Sequence, residues 1–174
     1  MQPPKTGLEL LIENSPAVMP PPLNRADYPK LRHTWEENDW ENWVMIGKEN
    51  AQFRPGVQGA GVNSSWMQNQ DGGRIDLPQQ KRILKEARRI WVTMKDFNVP
   101  LKTETGVALP TLNYFRAMME SQFFELRLCA DHWKVDRVWT ENFSSWRSPS
   151  KPSKGHRGDG DGTSQPEPTS GKVS

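Results

Sequence analysis

The stretch DLPQQKRILKEARRIWVTMKDFNVP, Asp76–Pro100, decides the fold. Ile83, Leu84, Ala87, Ile90, Trp91, Met94 and Phe97 recur at i, i+1, i+4 and i+7, a spacing that lines up one side of a helix and neither side of a strand. Asp76 stands where a side-chain oxygen can accept a free amide of the first turn, and Pro78 suits that turn because an amide there has no helical partner to lose. A helix over about residues 78–98 follows, and its apolar stripe has to be covered. Its other side is cationic. Lys81, Arg82, Lys85, Arg88, Arg89 and Lys95 share an arc of about 140° opposite the stripe. Lys81 with Lys85, and Lys85 with Arg89, are like charges one turn apart, each pair costing about 0.2–0.5 kcal/mol. Lys81 and Arg82 also sit near the positive end of the helix dipole. An anionic partner would relieve this repulsion; so would acids of the chain itself, namely Glu86, Asp96 or the segment EENDWE at 36–41.

The cover is expected from both directions. Downstream, LPTLNYFRAMMESQFF predicts a helix from Pro110 to about Ser121, with Leu112, Phe115, Met118 and Met119 inward. A third helix is expected after Asp131 as its N-cap, with Val135, Val138, Trp139 and Phe143 within an arc of about 140°. Trp133 falls outside that arc and joins the six cations as a candidate partner contact. Upstream, RHTWEENDWENWVMI predicts a short amphipathic helix over about Trp35–Ile46, with Thr34 and Glu37 spaced as a capping box. The three downstream helices span only about 70 residues, small for an independent core, so the Trp35 helix is expected to dock on them.

The fold class expected is therefore mostly α, a small three- or four-helix unit with disordered N- and C-terminal arms. Residues 1–30 form a proline-rich, polyproline-prone arm, 31–50 a tryptophan-rich helix, 51–75 a Gly/Asn/Gln-rich linker, 76–146 the helical core and 147–174 a tail. The tail has no large apolar residue except Val173 and cannot offset its ordering entropy by burial. Eight tryptophans in 174 residues supply the anchors. Each can remove about 150–250 Å² from water.

Composition narrows function mainly by exclusion. The formal net charge of +2 is too small to dictate partners, but residues 76–147 carry 12 basic against 9 acidic groups, so the cationic surplus lies in the helical part. One cysteine forbids an internal disulfide framework, and no apolar run approaches the roughly 20 residues that span a bilayer. The N-terminal apolar patch is broken by Glu9 and Glu13 and lacks a basic leader, so the chain reads as intracellular, nuclear or cytoplasmic.

Cys129 and His132 could lie on adjacent turns as metal ligands, but a structural zinc site needs four donors and the chain has no second cysteine. As a catalytic pair with Asp131 they are too close in sequence to present nucleophile and base well, and no local signature surrounds them. No phosphate-cradling glycine loop, serine elbow or dinucleotide fingerprint is present. No metal, cofactor or catalytic residue is expected. Arg157-Gly158-Asp159 and the Asn-x-Ser sites at Asn63 and Asn142 read as chance matches in an intracellular chain.

The pattern Leu109, Tyr114-Phe115, Phe124-Glu125-Leu126, Cys129, Trp133-Lys134, Trp139 and Asn142-Phe143-Ser144-Ser145-Trp146 resembles short uncharacterised proteins of mushroom-forming fungi over about residues 80–146. These share a C-terminal module ending in an Asn-Tyr-Pro-Ser-Trp-like motif, from which this chain departs at two positions. The resemblance implies a folding pattern and no activity. The function expected is a non-enzymatic interaction module binding a protein partner through the cationic helix face or an exposed tryptophan. The alternative is a sequence-tolerant nucleic-acid-binding domain of helix-turn-helix type.

Overall fold

A computed structural model of the chain describes residues 3–49, 65–101 and 106–148. Six α-helices among the described residues run in the order α1 Gly7–Asn14, α2 Glu37–Glu49, α3 Leu77–Asp96, α4 Leu109–Gln122, α5 Phe124–Arg127 and α6 Trp133–Arg147. Among the described residues there is no strand, only isolated bridges such as Gln68 with Arg74. The chain is mostly α, as its periodicity requires.

Helix α3 forms as its sequence dictates. The Asp76 carboxylate accepts the Gln79 amide, Pro78 lies in the first turn, and Ile83, Ala87, Ile90, Trp91 and Met94 are buried. Trp91 is the hub of the core. Its ring stacks on Phe115 of α4 at 5.7 Å and meets Trp139 and Phe143 of α6 edge-on at 5.7 and 5.4 Å. Such pairs are worth about 0.5–1.5 kcal/mol each beyond the area they bury, so α3, α4 and α6 are held by aromatic contacts around one residue.

The tryptophan-rich segment docks on this core: Trp40 and Val44 of α2 belong to the same buried cluster as Ile83 and Trp91. Its start differs from expectation. Helix α2 begins at Glu37, three residues beyond Thr34. Thr34 is fully buried and its hydroxyl donates to Gln68 Oε1 at 2.7 Å, while Glu37 pairs with Arg137. Long-range partners outbid the local capping box.

The proline-rich arm also differs. Residues 7–14 form helix α1, capped reciprocally by Thr6 and Glu9, and Leu11 is fully buried in the core. No proline falls between Pro4 and Pro16, and within that window Thr-x-x-Glu is a start signal that the proline count of the arm conceals. Gly7 lets α1 approach the end of α3: a Cβ there would lie 2.1 Å from the Phe97 carbonyl oxygen. From Ser15 the chain continues as an extended strap, held where Tyr114 Oη donates to the Ser15 carbonyl at 3.1 Å and Arg127 Nη2 to the Pro21 carbonyl at 3.0 Å.

The part of the expected linker that is described, 65–75, belongs to the core as well. Trp66, Met67 and Ile75 are buried, and the Asn69 side-chain carbonyl accepts the amides of Asp71 and Gly73, closing a tight turn. The rest of that linker and the expected disordered tail beyond Ser148 lie outside the described residues.

Candidate cationic surface on helix α3

Lys81, Arg82, Lys85, Arg88, Arg89 and Lys95 are all exposed. The core takes the opposite face of α3, so the stripe that buries Trp91 also turns these side chains to solvent. Two of them are engaged. Arg89 grips Glu86 through Nε and Nη2 at 2.6–3.0 Å, and Gln122 donates to the same carboxylate at 2.9 Å. The Arg89 bonds hold the Glu86 carboxyl below its usual range. Arg82 lies over the Phe123 ring at 5.8 Å. Lys81, Lys85, Arg88 and Lys95 make no ion pair among the described residues.

The acids that could have neutralised them are committed elsewhere. Glu36 and Asp39 face Arg25 at 3.8 and 3.6 Å, and Glu37 and Glu41 face Arg137 at 3.3 and 3.6 Å. Arg137 is itself stacked 4.2 Å above Trp40. The EENDWE segment thus turns its charges to Arg25 and Arg137 and leaves Lys81, Lys85, Arg88 and Lys95 without an ion pair among the described residues. Asp96, which falls between Lys85 and Arg89 on the wheel, is the one acid within the arc. Two large apolar side chains share the arc: Leu77 is 49 % exposed and Val92, flanked by Lys85, Arg88 and Lys95 on the wheel, is 45 % exposed. The face is a mixed ridge, cationic with apolar steps.

Trp133 does not belong to it. It is 5 % exposed, and its indole N–H donates to the Trp35 carbonyl at 2.9 Å. The expected exposed tryptophan is a core residue. Helix α6 starts at Trp133, and Asp131, expected as its N-cap, has a left-handed backbone with φ 50°, as does His132 with φ 62°. That turn brings the Trp133 ring under α2, between Trp40 and Trp66 at 6.2 and 5.9 Å.

The Cys129–His132 region was the other candidate. The Cys129 thiol donates to the Leu126 carbonyl at 3.3 Å, and burial pushes it up to about 11, where it is a neutral, weak nucleophile. His132 Nδ1 is bonded to Glu120 Oε1 at 2.6 Å. Burial raises the Glu120 carboxyl even so. These side chains line a cleft of about 360 Å³ beneath the proline strap, with Trp35 and Arg127. Among the described residues no group of three or more His, Cys, Asp or Glu could hold a metal ion, and no helix is long and apolar enough to cross a membrane.

One residue is buried in a way its helical wheel does not show. Lys134 is fully buried, its ammonium has no hydrogen-bond partner among the described residues, and desolvation pushes it down to about 8. Among the described residues its charge has Cys129 nearby and the Trp133 ring at 5.8 Å. No periodicity announced this, because Lys134 lies outside the apolar arc of its own helix.

Comparison of the chain with protein-family models, with curated proteins and with solved structures finds no match.

Proposed function

We propose that the chain is a non-enzymatic, intracellular binding module whose working surface is the α3 ridge and whose partner is a protein segment rich in carboxylates. The observation that carries this reading is the set of four cations, Lys81, Lys85, Arg88 and Lys95, without ion pairs among the described residues on a helix whose other face anchors the core. Like charges one turn apart repel, and an acidic segment laid along the ridge relieves that cost. Leu77 and Val92 favour a protein over a phosphate backbone, because their exposed apolar surface gains nothing from phosphates. Exposed pairs contribute only about 0.2–1 kcal/mol each, so binding through them is weak, fast and salt-sensitive unless apolar contacts add to it.

The test is fluorescence anisotropy of a labelled 12-residue Glu/Asp-rich peptide and of a short labelled DNA duplex against the full chain at low and moderate salt. Peptide binding that weakens with salt, and falls at least tenfold in Lys85→Glu/Arg88→Glu with unchanged circular dichroism, supports the proposal. Binding untouched by the reversal removes α3 from the account. Duplex binding stronger than peptide binding, with affinity falling steeply as salt rises, would assign the ridge to nucleic acid instead.

A further inference from the structure

Where α3 ends, its cationic ridge meets a half-open pocket of mixed lining. Lys95, Leu101, Phe143, Trp146 and Arg147 line about 360 Å³. A second hollow of about 350 Å³ adjoins it across Leu101 and Phe143 and is lined further on by Val107 and Trp139. The two make one trough with aromatic and aliphatic walls. Each hollow is at the low end of the roughly 300–1,000 Å³ of small-ligand sites, enough for one bulky side chain and its neighbours. Lys95, in the last turn of α3, and Arg147, the last residue of α6, are exposed at its mouth and make no ion pair among the described residues. The walls are firmly based: Phe143 and Trp146 pack on Trp91 at 5.4 and 5.5 Å.

We propose that this trough is the anchor subsite of the α3 surface and takes one aromatic side chain of the acidic partner segment, whose flanking carboxylates reach Lys95 and Arg147. The inference rests on the reading of the ridge given above and adds the partner's sequence character, an aromatic residue set among acids. Charge complementarity selects the acids, and the trough selects the ring. A preformed aromatic pocket rimmed by charge is where a few residues carry most of an interface's binding energy. The ridge alone attracts any anion, whereas the trough at its end distinguishes one acidic segment from another.

Two labelled 12-residue peptides, identical in their glutamates and differing by a central Phe or Ala, test this on the full chain by anisotropy. The Phe peptide binds about tenfold tighter, and Leu101→Trp, which fills the trough, abolishes that advantage while leaving the Ala peptide unchanged. Lys95→Glu/Arg147→Glu, two exposed sites that leave the core intact, lowers affinity for the Phe peptide at least fivefold. Equal affinity of the two peptides for the wild type overturns the anchor subsite and leaves the ridge standing. An advantage that survives Leu101→Trp in a variant of unchanged melting temperature also overturns it, and should that variant melt early, an affinity for the Phe peptide that Lys95→Glu/Arg147→Glu leaves unchanged does so. Failure of both peptides to bind overturns the ridge itself.

Discussion

Trp133 and Trp35 are joined by a hydrogen bond across the fold, the indole N–H of Trp133 donating to the Trp35 carbonyl at 2.9 Å. The same carbonyl accepts the Ala130 amide at 2.8 Å. One backbone oxygen at the entry to α2 thus receives two donors from the entry to α6. This joint fixes the left-handed turn at Asp131 and His132 and explains why an off-stripe tryptophan is buried.

Replacing Trp133 by Phe removes one of those donors and part of a ring packed between Trp40 and Trp66. A lost buried hydrogen bond costs about 1 kcal/mol, and the vacated volume adds to it, for a total of about 2–3 kcal/mol. Urea denaturation of the full chain measures it. The acidic-peptide affinity is expected to stay unchanged, and a loss of binding without a loss of stability would return Trp133 to the interface.

Helix α1 places Leu11, fully buried, in the same cluster as Trp91. Leu11→Ala is expected to cost about 2–5 kcal/mol, the range for emptying a closely packed site. A loosely attached polyproline arm would show no such dependence, so a midpoint shift within error contradicts the docked helix.

The contrast between these residues and α3 shows what a sequence can display. The Ile83–Met94 stripe was legible because an amphipathic helix carries its own periodicity. The cationic arc was legible for the same reason, as the complement of the stripe. That the EENDWE acids turn away from the arc was not legible, since it depends on Glu37 and Glu41 reaching Arg137 of α6. Trp133, Lys134 and Thr34 are buried by segments far away in sequence, and a helical wheel sees only neighbours within its own helix. The arm was misread because its prolines flank α1 and do not enter it.

Lys134 predicts an unusual dependence on pH. Its ammonium is pushed down from 10.5 to about 8, so between those values the folded state binds fewer protons than the unfolded state, and stability rises with pH. Below about pH 8 the fold carries the whole penalty, about 3 kcal/mol by the size of the depression. Cys129 acts in the opposite sense. Its thiol is raised from 9.0 to about 11, so its contribution falls as pH climbs through that interval. Wild-type stability should rise from pH 8 to 9 and then flatten. Lys134→Met should stabilise the fold at pH 7 by about 1–3 kcal/mol and abolish the rise, whereas Cys129→Ala should extend it toward pH 10.5. Denaturant midpoints at half-unit pH steps decide it; a flat wild-type profile would mean that the buried amine finds a partner in solution.

The α3 ridge should be less stable with its present charges than without them. Lys81 lies in the first turns, where the dipole disfavours a cation, and one turn from Lys85. Lys81→Glu removes both penalties and adds an attractive pair, worth about 0.5–1 kcal/mol together. The variant should therefore melt a few degrees higher while binding the acidic peptide more weakly, and the stability gain should shrink in 0.5 M salt because exposed charges are screened there. A rise in stability with undiminished binding would show that the ridge does not meet the peptide at Lys81. A fall in stability would show that Lys81 already has an anionic neighbour in the free protein. Opposite movement of the two quantities is the signature of a surface kept for a partner.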